Sequence, residues 1–83
     1  MISLTLFSRP GCHLCDDMKA VVERVARSTP LTLDVVDVSS DPRLEARYGQ
    51  EIPVLLVNGQ KFAKYRLTEE DLTRKLRSLA ISP

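Results

Sequence analysis

The hydrophobic period of this chain changes twice within its first 38 residues. Residues 2–7, Ile-Ser-Leu-Thr-Leu-Phe, alternate apolar and polar and are rich in β-formers, the pattern of a half-buried strand. Arg9-Pro10-Gly11 ends that strand. Beyond the turn, Leu14, Met18, Val21, Val22 and Val25 recur at helical spacing, with Asp17, Lys19, Glu23, Arg24 and Arg27 elsewhere on the cylinder. The spacing predicts an amphipathic helix over residues 13–28. A helix stop at Ser28-Thr29-Pro30 then gives way to a second β-rich run, Leu31 to Val38. Strand, helix and strand in that order make a βαβ unit, because parallel strands need a long crossover and that crossover is right-handed. With 83 residues in all, the chain has room for a single domain, residues 1–83, and one core. Any active site must lie on the surface of that core.

The second half reads differently. Asp41 caps a short helix, Pro42 supplies its first residue, and Gly49 closes it near Tyr48. Pro53-Val54-Leu55-Leu56-Val57 is a buried type of strand, and Asn58-Gly59 is a type I′ hairpin signal leading into an antiparallel strand from Gln60 to Tyr65. Thr68 caps a last helix with Glu69, Glu70 and Asp71 in its first turn and Arg74, Lys75 and Arg77 in its last turns. Its inner face is Leu72, Leu76 and Leu79. The expected order is β-α-β-α-β-β-α, an α/β fold with a four-stranded mixed sheet and helices on both faces. There is no internal repeat and no linker, and Ile81-Ser82-Pro83 is expected to fray.

Composition removes several classes of function. Twelve basic against 11 acidic residues leave a formal net charge of +1, so the chain as a whole has no electrostatic reason to seek nucleic acid or an anionic membrane. Its longest apolar stretches, such as Val54 to Val57, fall far short of the roughly 20 residues of a membrane span. Met1-Ile2-Ser3-Leu4-Thr5 lacks the basic and apolar regions of a secretory signal, so a cytoplasmic location is expected.

The chemistry sits at the turn of the βαβ unit, in Ser8-Arg9-Pro10-Gly11-Cys12-His13-Leu14-Cys15. A disulfide closing so small a loop restrains the unfolded chain weakly, so Cys12 and Cys15 make a poor structural staple. His13 is wedged between them, and the chain has too few soft ligands to close a four-ligand zinc site alone. Redox exchange is the stronger reading. An attacking cysteine must be ionised, exposed and close to a second thiol that can resolve the mixed disulfide. Cys12 falls at the expected cap of the first helix, where its sulfur would accept from the N–H groups of Leu14 and Cys15 and gain most as thiolate. Asp16 and Asp17 offset that field, whereas Arg9 and a protonated His13 reinforce it. Cys12 is therefore expected to be the nucleophile, more acidic than an ordinary thiol, and Cys15 the deeper resolving thiol.

With the dithiol at the turn and Ile52-Pro53 before the third strand, the sequence resembles the thioredoxin superfamily and is most similar to glutaredoxin-like proteins. Phe7 to Cys15 and Ile52 to Gly59 carry the likeness, which covers essentially the whole chain. It implies a thioredoxin fold and a thiol–disulfide oxidoreductase that needs no cofactor, with glutathione as a candidate co-substrate. It also implies that Pro53 is cis and faces the dithiol, and that Ile52 offers its backbone N–H and C=O to an extended substrate. A trans proline that merely opens a strand is the plainer alternative.

Arg9 occupies the basic position three residues before the first cysteine, where it could hold a substrate carboxylate or stand as an ordinary surface arginine. The sequence departs from the glutaredoxin pattern at His13-Leu14, in place of proline and an aromatic residue, and at Ala63-Lys64, in place of Gly-Gly. The latter crowds the approach of glutathione to the backbone, although Lys64, Arg66 and Thr68 could still attract a carboxylate. His13 tunes the dithiol electrostatically or is simply an exposed loop residue. Phe62 and Tyr65 are expected to pack on the sheet.

The partners implied are protein disulfides or glutathione mixed disulfides, with glutathione or a thioredoxin-type reductase as reductant. No nucleic acid or membrane is expected, and the chain is expected to act as a monomer. By analogy, its potential should fall between about −200 and −270 mV. The alternative is an iron–sulfur or metal carrier in which Cys12 from two chains holds a cluster with external thiols. A third reading is an interaction protein that keeps only the fold.

Overall fold

The computed structural model describes residues 2–81. Strand β1 (Ile2–Ser8) leads to helix α1 (His13–Ala26) and strand β2 (Leu31–Asp37), followed by a 3-10 turn, Val38–Ser40, and helix α2 (Pro42–Tyr48). Strands β3 (Val54–Val57) and β4 (Gln60–Lys64) form the hairpin, and helix α3 (Glu69–Ile81) ends the described chain. The sheet order is β2-β1-β3-β4. β1 and β2 are parallel, with Ile2 opposite Leu31 and Ser8 opposite Asp37. β3 runs antiparallel to β1, with Leu4 opposite Val57 and Phe7 opposite Val54. The C-terminal end of β1 and the start of β3 thus share one edge of the sheet, and the dithiol turn and Ile52-Pro53 leave from it.

Strand alternation sends Leu4, Leu6, Leu55 and Val57 to one face, where they are buried against Met18, Val22 and Val25 of α1 and Leu72 and Leu76 of α3. Phe7 and Val54 point to the other face and join Val38, with Leu44 and Tyr48 of α2 packed on them. The Phe7 and Tyr48 rings stack with centroids 4.3 Å apart. Each fully buried Leu or Val contributes about 1.5–3 kcal/mol through the hydrophobic effect, which makes the first face the main store of stability.

Several boundaries differ from the sequence expectation for identifiable reasons. Helix α1 stops at Ala26, because the N–H groups of Ser28 and Thr29 both fold back onto the Val25 carbonyl at 3.1 Å. β2 stops at Asp37, whose carboxylate takes the Ser39 N–H at 2.9 Å and its hydroxyl at 2.6 Å and turns the chain aside. Gly49 closes α2, but in the right-handed region (φ −56°). Glycine is favoured there by crowding, since a Cβ would lie 2.5 Å from the Glu45 carbonyl oxygen and 3.0 Å from Arg9 Nη2.

The hairpin turn has positive φ at Asn58 (50°) and Gly59 (83°), as a type I′ turn requires. Asn58 also clamps β1, accepting from the Ser3 N–H through Oδ1 at 3.0 Å and donating its own N–H to the Ser3 carbonyl at 2.8 Å. α3 begins as expected, with Thr68 Oγ1 accepting from the Asp71 N–H at 3.1 Å. It then runs on through Ile81, so Arg74, Lys75 and Arg77 sit mid-helix and its last turn carries no basic residue. Ile81 is helical, and the fraying expected of Ser82 and Pro83 lies outside the described residues. Among the described residues no helix is long and apolar enough to cross a membrane.

Candidate functional site

Pro10 and Gly11 hand the end of β1 to the head of α1. Gly11 takes φ +80°, with no heavy atom within 4 Å of the place its Cβ would occupy, so glycine serves the backbone conformation there and not a close approach. Cys12 follows as the N-cap, with extended backbone (φ −94°, ψ 108°). Its sulfur accepts from the Cys15 N–H at 3.1 Å. Of the two donors expected, Leu14 and Cys15, only Cys15 makes this bond among the described residues. Cys12 and Cys15 form a disulfide with their Cα atoms 5.2 Å apart. Cys12 is half-buried, whereas Cys15, in the first turn of α1, is 3% exposed. His13 and Leu14 project outward between them.

The Ile52–Pro53 peptide bond is cis, and Pro53 is fully buried. Among the described residues, no turn or loop hydrogen bond uses the backbone N–H or C=O of Ile52. The Pro53 carbonyl, by contrast, accepts the Tyr65 N–H at 2.8 Å. That bond brings the end of the hairpin back to the proline. Tyr65 is where the sequence reading failed: it lies beyond β4 at φ +68° and is 42% exposed instead of packing on the sheet. A left-handed tyrosine has no sequence signal, because the residue type disfavours that conformation. Tyr65 instead lines a groove of about 350 Å³ with Leu14, Asp17, Met18, Arg66, Leu67 and Thr68. Phe62 does pack against the main core.

Arg9 has partners inside the protein. Its Nη2 donates to Glu45 Oε1 of α2 and, at 3.3 Å, to the Gly49 carbonyl, tying the dithiol turn to the second helix. An external carboxylate must compete with Glu45 for this guanidinium. The Arg9 charge also helps lower the Asp37 pKa, after the larger effects of the Ser39 hydroxyl and Ser39 N–H hydrogen bonds. On the Cys15 side, Arg9, Pro10, Asp16, Lys19 and Asp37 are among the residues around a hollow of about 270 Å³. No group of three or more metal-ligating side chains occurs among the described residues.

Residues 3–77 match the family model of the glutaredoxin-like domain (DUF836). The chain belongs to the glutaredoxin-like family. This glutaredoxin-like chain is 33% identical over 61 residues to a thioredoxin of Methanocaldococcus jannaschii, covering 70% of this chain and 72% of that protein. It is 24% identical over 84 residues to a glutaredoxin-like protein of Dictyostelium discoideum, covering 94% of this chain and 78% of the relative. Among solved structures, a structural-genomics target protein from X. campestris superposes with a TM-score of 0.76 at 30% identity, over 96% of this chain and 99% of that one. A thioredoxin variant of Halobacterium salinarum, at 24% identity, gives a TM-score of 0.73 over 99% of this chain and 78% of that chain, which supports the thioredoxin-like α/β fold. Within that fold, the glutaredoxin-like chain has its CxxC disulfide at the head of α1, and together they point to thiol–disulfide chemistry.

Proposed function

We propose that this glutaredoxin-like chain is a dithiol–disulfide oxidoreductase, with Cys12 as nucleophile and Cys15 as resolving thiol. One observation carries the reading: a reachable sulfur and a buried one are joined at a helix head, with the Cys15 N–H on the Cys12 sulfur. That N–H and the positive end of α1 favour Cys12 as thiolate. In the reduced protein the thiolate attacks one sulfur of a partner disulfide; the partner's S–S bond breaks and its other sulfur leaves as thiolate with the bonding pair. Cys15, giving its proton to solvent, then attacks the Cys12 sulfur and expels the partner's second thiolate. Two electrons have passed to the partner and the Cys12–Cys15 disulfide remains.

The unpaired peptide groups of Ile52 suit an extended segment of the partner, and exposed Leu14 offers an apolar contact beside it. His13 adds positive charge when protonated. Two glutathione thiols or a reductase dithiol would return the electrons, and the reaction calls for no resident cofactor and only one copy of the chain. A reducing compartment such as the cytoplasm supplies such thiols.

Reductase-coupled turnover of a disulfide substrate tests the reading. Cys12→Ser should abolish turnover, and Cys15→Ser should leave a mixed disulfide on Cys12 that mass spectrometry detects. Alkylation against pH should titrate Cys12 below the ordinary thiol value of about 8.5. An ordinary titration with no exchange would leave only the fold in common with oxidoreductases. Visible absorption after anaerobic purification, without exchange, would favour cluster carriage by Cys12 and external thiols.

A further inference from the structure

Between β4 and α3 lies an open trench of about 520 Å³. Phe62 and Leu67, both partly buried against the main core, give it an apolar lining. Lys64, Arg66, Arg74 and Lys75 also line it, and Asp71 is the one carboxylate among its lining residues. The Lys75 ammonium stands 5.8 Å above the Phe62 ring. The whole chain carries only +1, so this is a local concentration of cations, offset in part by Asp71 and by Glu51, which lies 3.7 Å from the Lys64 ammonium. Arg74 reaches Glu70 and Asp71 only at 3.8 and 4.0 Å. Exposed pairs of that kind are weak and leave the arginine available.

The trench leads to the dithiol. Arg66 and Leu67 line both it and the groove that begins at Leu14, immediately before Cys15. A partner whose disulfide is engaged at Cys12 would therefore lay its flanking residues past Leu14 and Leu67 toward Arg74. We infer that this trench seats an acidic segment flanking the substrate's reactive cysteine, with carboxylates on Arg66, Arg74 and Lys75 and an apolar side chain over Phe62. The inference rests on the oxidoreductase reading and adds the substrate class to it.

The segment lies in the trench and does not extend the sheet. β4 is an edge strand, but Lys61 and Lys64 and the register shift opposite Leu55 and Leu56 guard it against strand addition. A nucleic acid fits less well, because a continuous phosphate backbone could not avoid Glu69, Glu70 and Asp71 at the head of α3 and gains nothing from an apolar lining, whereas a peptide can set a few carboxylates on the arginines and an apolar side chain on Phe62.

The test uses peptides that share one cysteine, blocked as a mixed disulfide with a chromophoric thiol, and differ only in a flanking pair of Glu, Ser or Lys. At low salt the kcat/KM ratio of the Glu to the Lys peptide should be about 10-fold. It should fall toward one at 1 M salt, where the Debye length is about 3 Å. Arg66→Glu with Arg74→Glu, both at exposed positions, should invert the ratio, and Arg74→Gln should reduce it. Because the ratio is taken within each variant, a general loss of turnover cancels. Fluorescence anisotropy of a cysteine-free acidic peptide tests the trench without any exchange, so absence of turnover with retained binding would sink the oxidoreductase reading alone. A wild-type ratio near one, a ratio unmoved by the double variant, or an oligonucleotide of equal charge binding as tightly would overturn the inference.

Discussion

On the face of the sheet covered by α1 and α3, nine of the described side chains are buried together, from Leu4 and Leu6 to Leu72 and Leu76; on the α2 face the buried set is Phe7, Val38 and Val54, and α2 itself buries none of its residues. What the second face lacks in core it supplements with polar ties. Arg9 holds Glu45 and Gly49, Asp37 holds Ser39, and Lys61 holds Glu51 at 2.6 Å. Exposed ties of this kind add little stability, and the Arg9 tie serves chiefly to orient α2. The dithiol is thus mounted on the well-packed side, on α1, while Ile52 packs with the thin cluster. Local opening is expected to start on the α2 face, where little apolar area is lost by opening.

That asymmetry can be broken by substitution. Leu72→Ala removes a fully buried side chain from the larger core and should cost about 2–5 kcal/mol, read as a lower midpoint in urea unfolding. Val38→Ala on the thin side should cost about 1–3 kcal/mol, because less packed surroundings collapse more easily around the void. If Val38→Ala proved the costlier of the two, the α2 face would be the principal core. Glu45→Ala, which leaves Arg9 only its bond to the Gly49 carbonyl, should change stability by about 0–1 kcal/mol while raising hydrogen exchange in α2 more than in α1. A uniform rise across both helices would show that the tie acts globally.

The smallest effect is set by pH. Glu51 has its pKa lowered from an ordinary 4.5, first by the hydrogen bond from Lys61, and Asp37 has its pKa lowered from 3.8, first by the Ser39 hydroxyl. A carboxylate whose folded pKa is depressed adds stability above its unfolded pKa and loses it as pH falls through the folded one. The melting temperature should therefore hold steady near neutrality and decline below about pH 4.5, and the decline should be shallower in Asp37→Asn with Glu51→Gln. Both groups are partly open to solvent, which screens their interactions, so the difference should be small; an unchanged slope would assign the acid response to other carboxylates.

Much of this molecule is legible without coordinates because its signals are local. The alternation in residues 2–7, the Leu14–Val25 stripe, the Asn58-Gly59 turn and the caps at Asp41 and Thr68 each depend on residues within a few positions of one another. The CxxC pair belongs to the same class, since a cap and a cysteine three residues later meet through helix geometry alone. The end of α1, by contrast, comes two residues before its sequence pattern suggests, because Ser28 and Thr29 are weak breakers whose N–H groups find Val25 only once the turn has closed.

By itself the sequence determined the βαβ start, the hairpin and the dithiol at the head of α1, for all of these follow from hydrophobic period and short-range hydrogen bonding. Only the tertiary structure decided that β3 pairs with β1, that Arg9 spends its Nη2 on Glu45 and Gly49, and that Tyr65 turns outward to line a groove with Leu14. Each joins residues far apart along the chain, or needs a backbone conformation that the residue type does not advertise. The strand pairing is decided by which packed arrangement buries more apolar surface, and the positions left to Arg9 and Tyr65 follow from it; both are properties of the assembled chain.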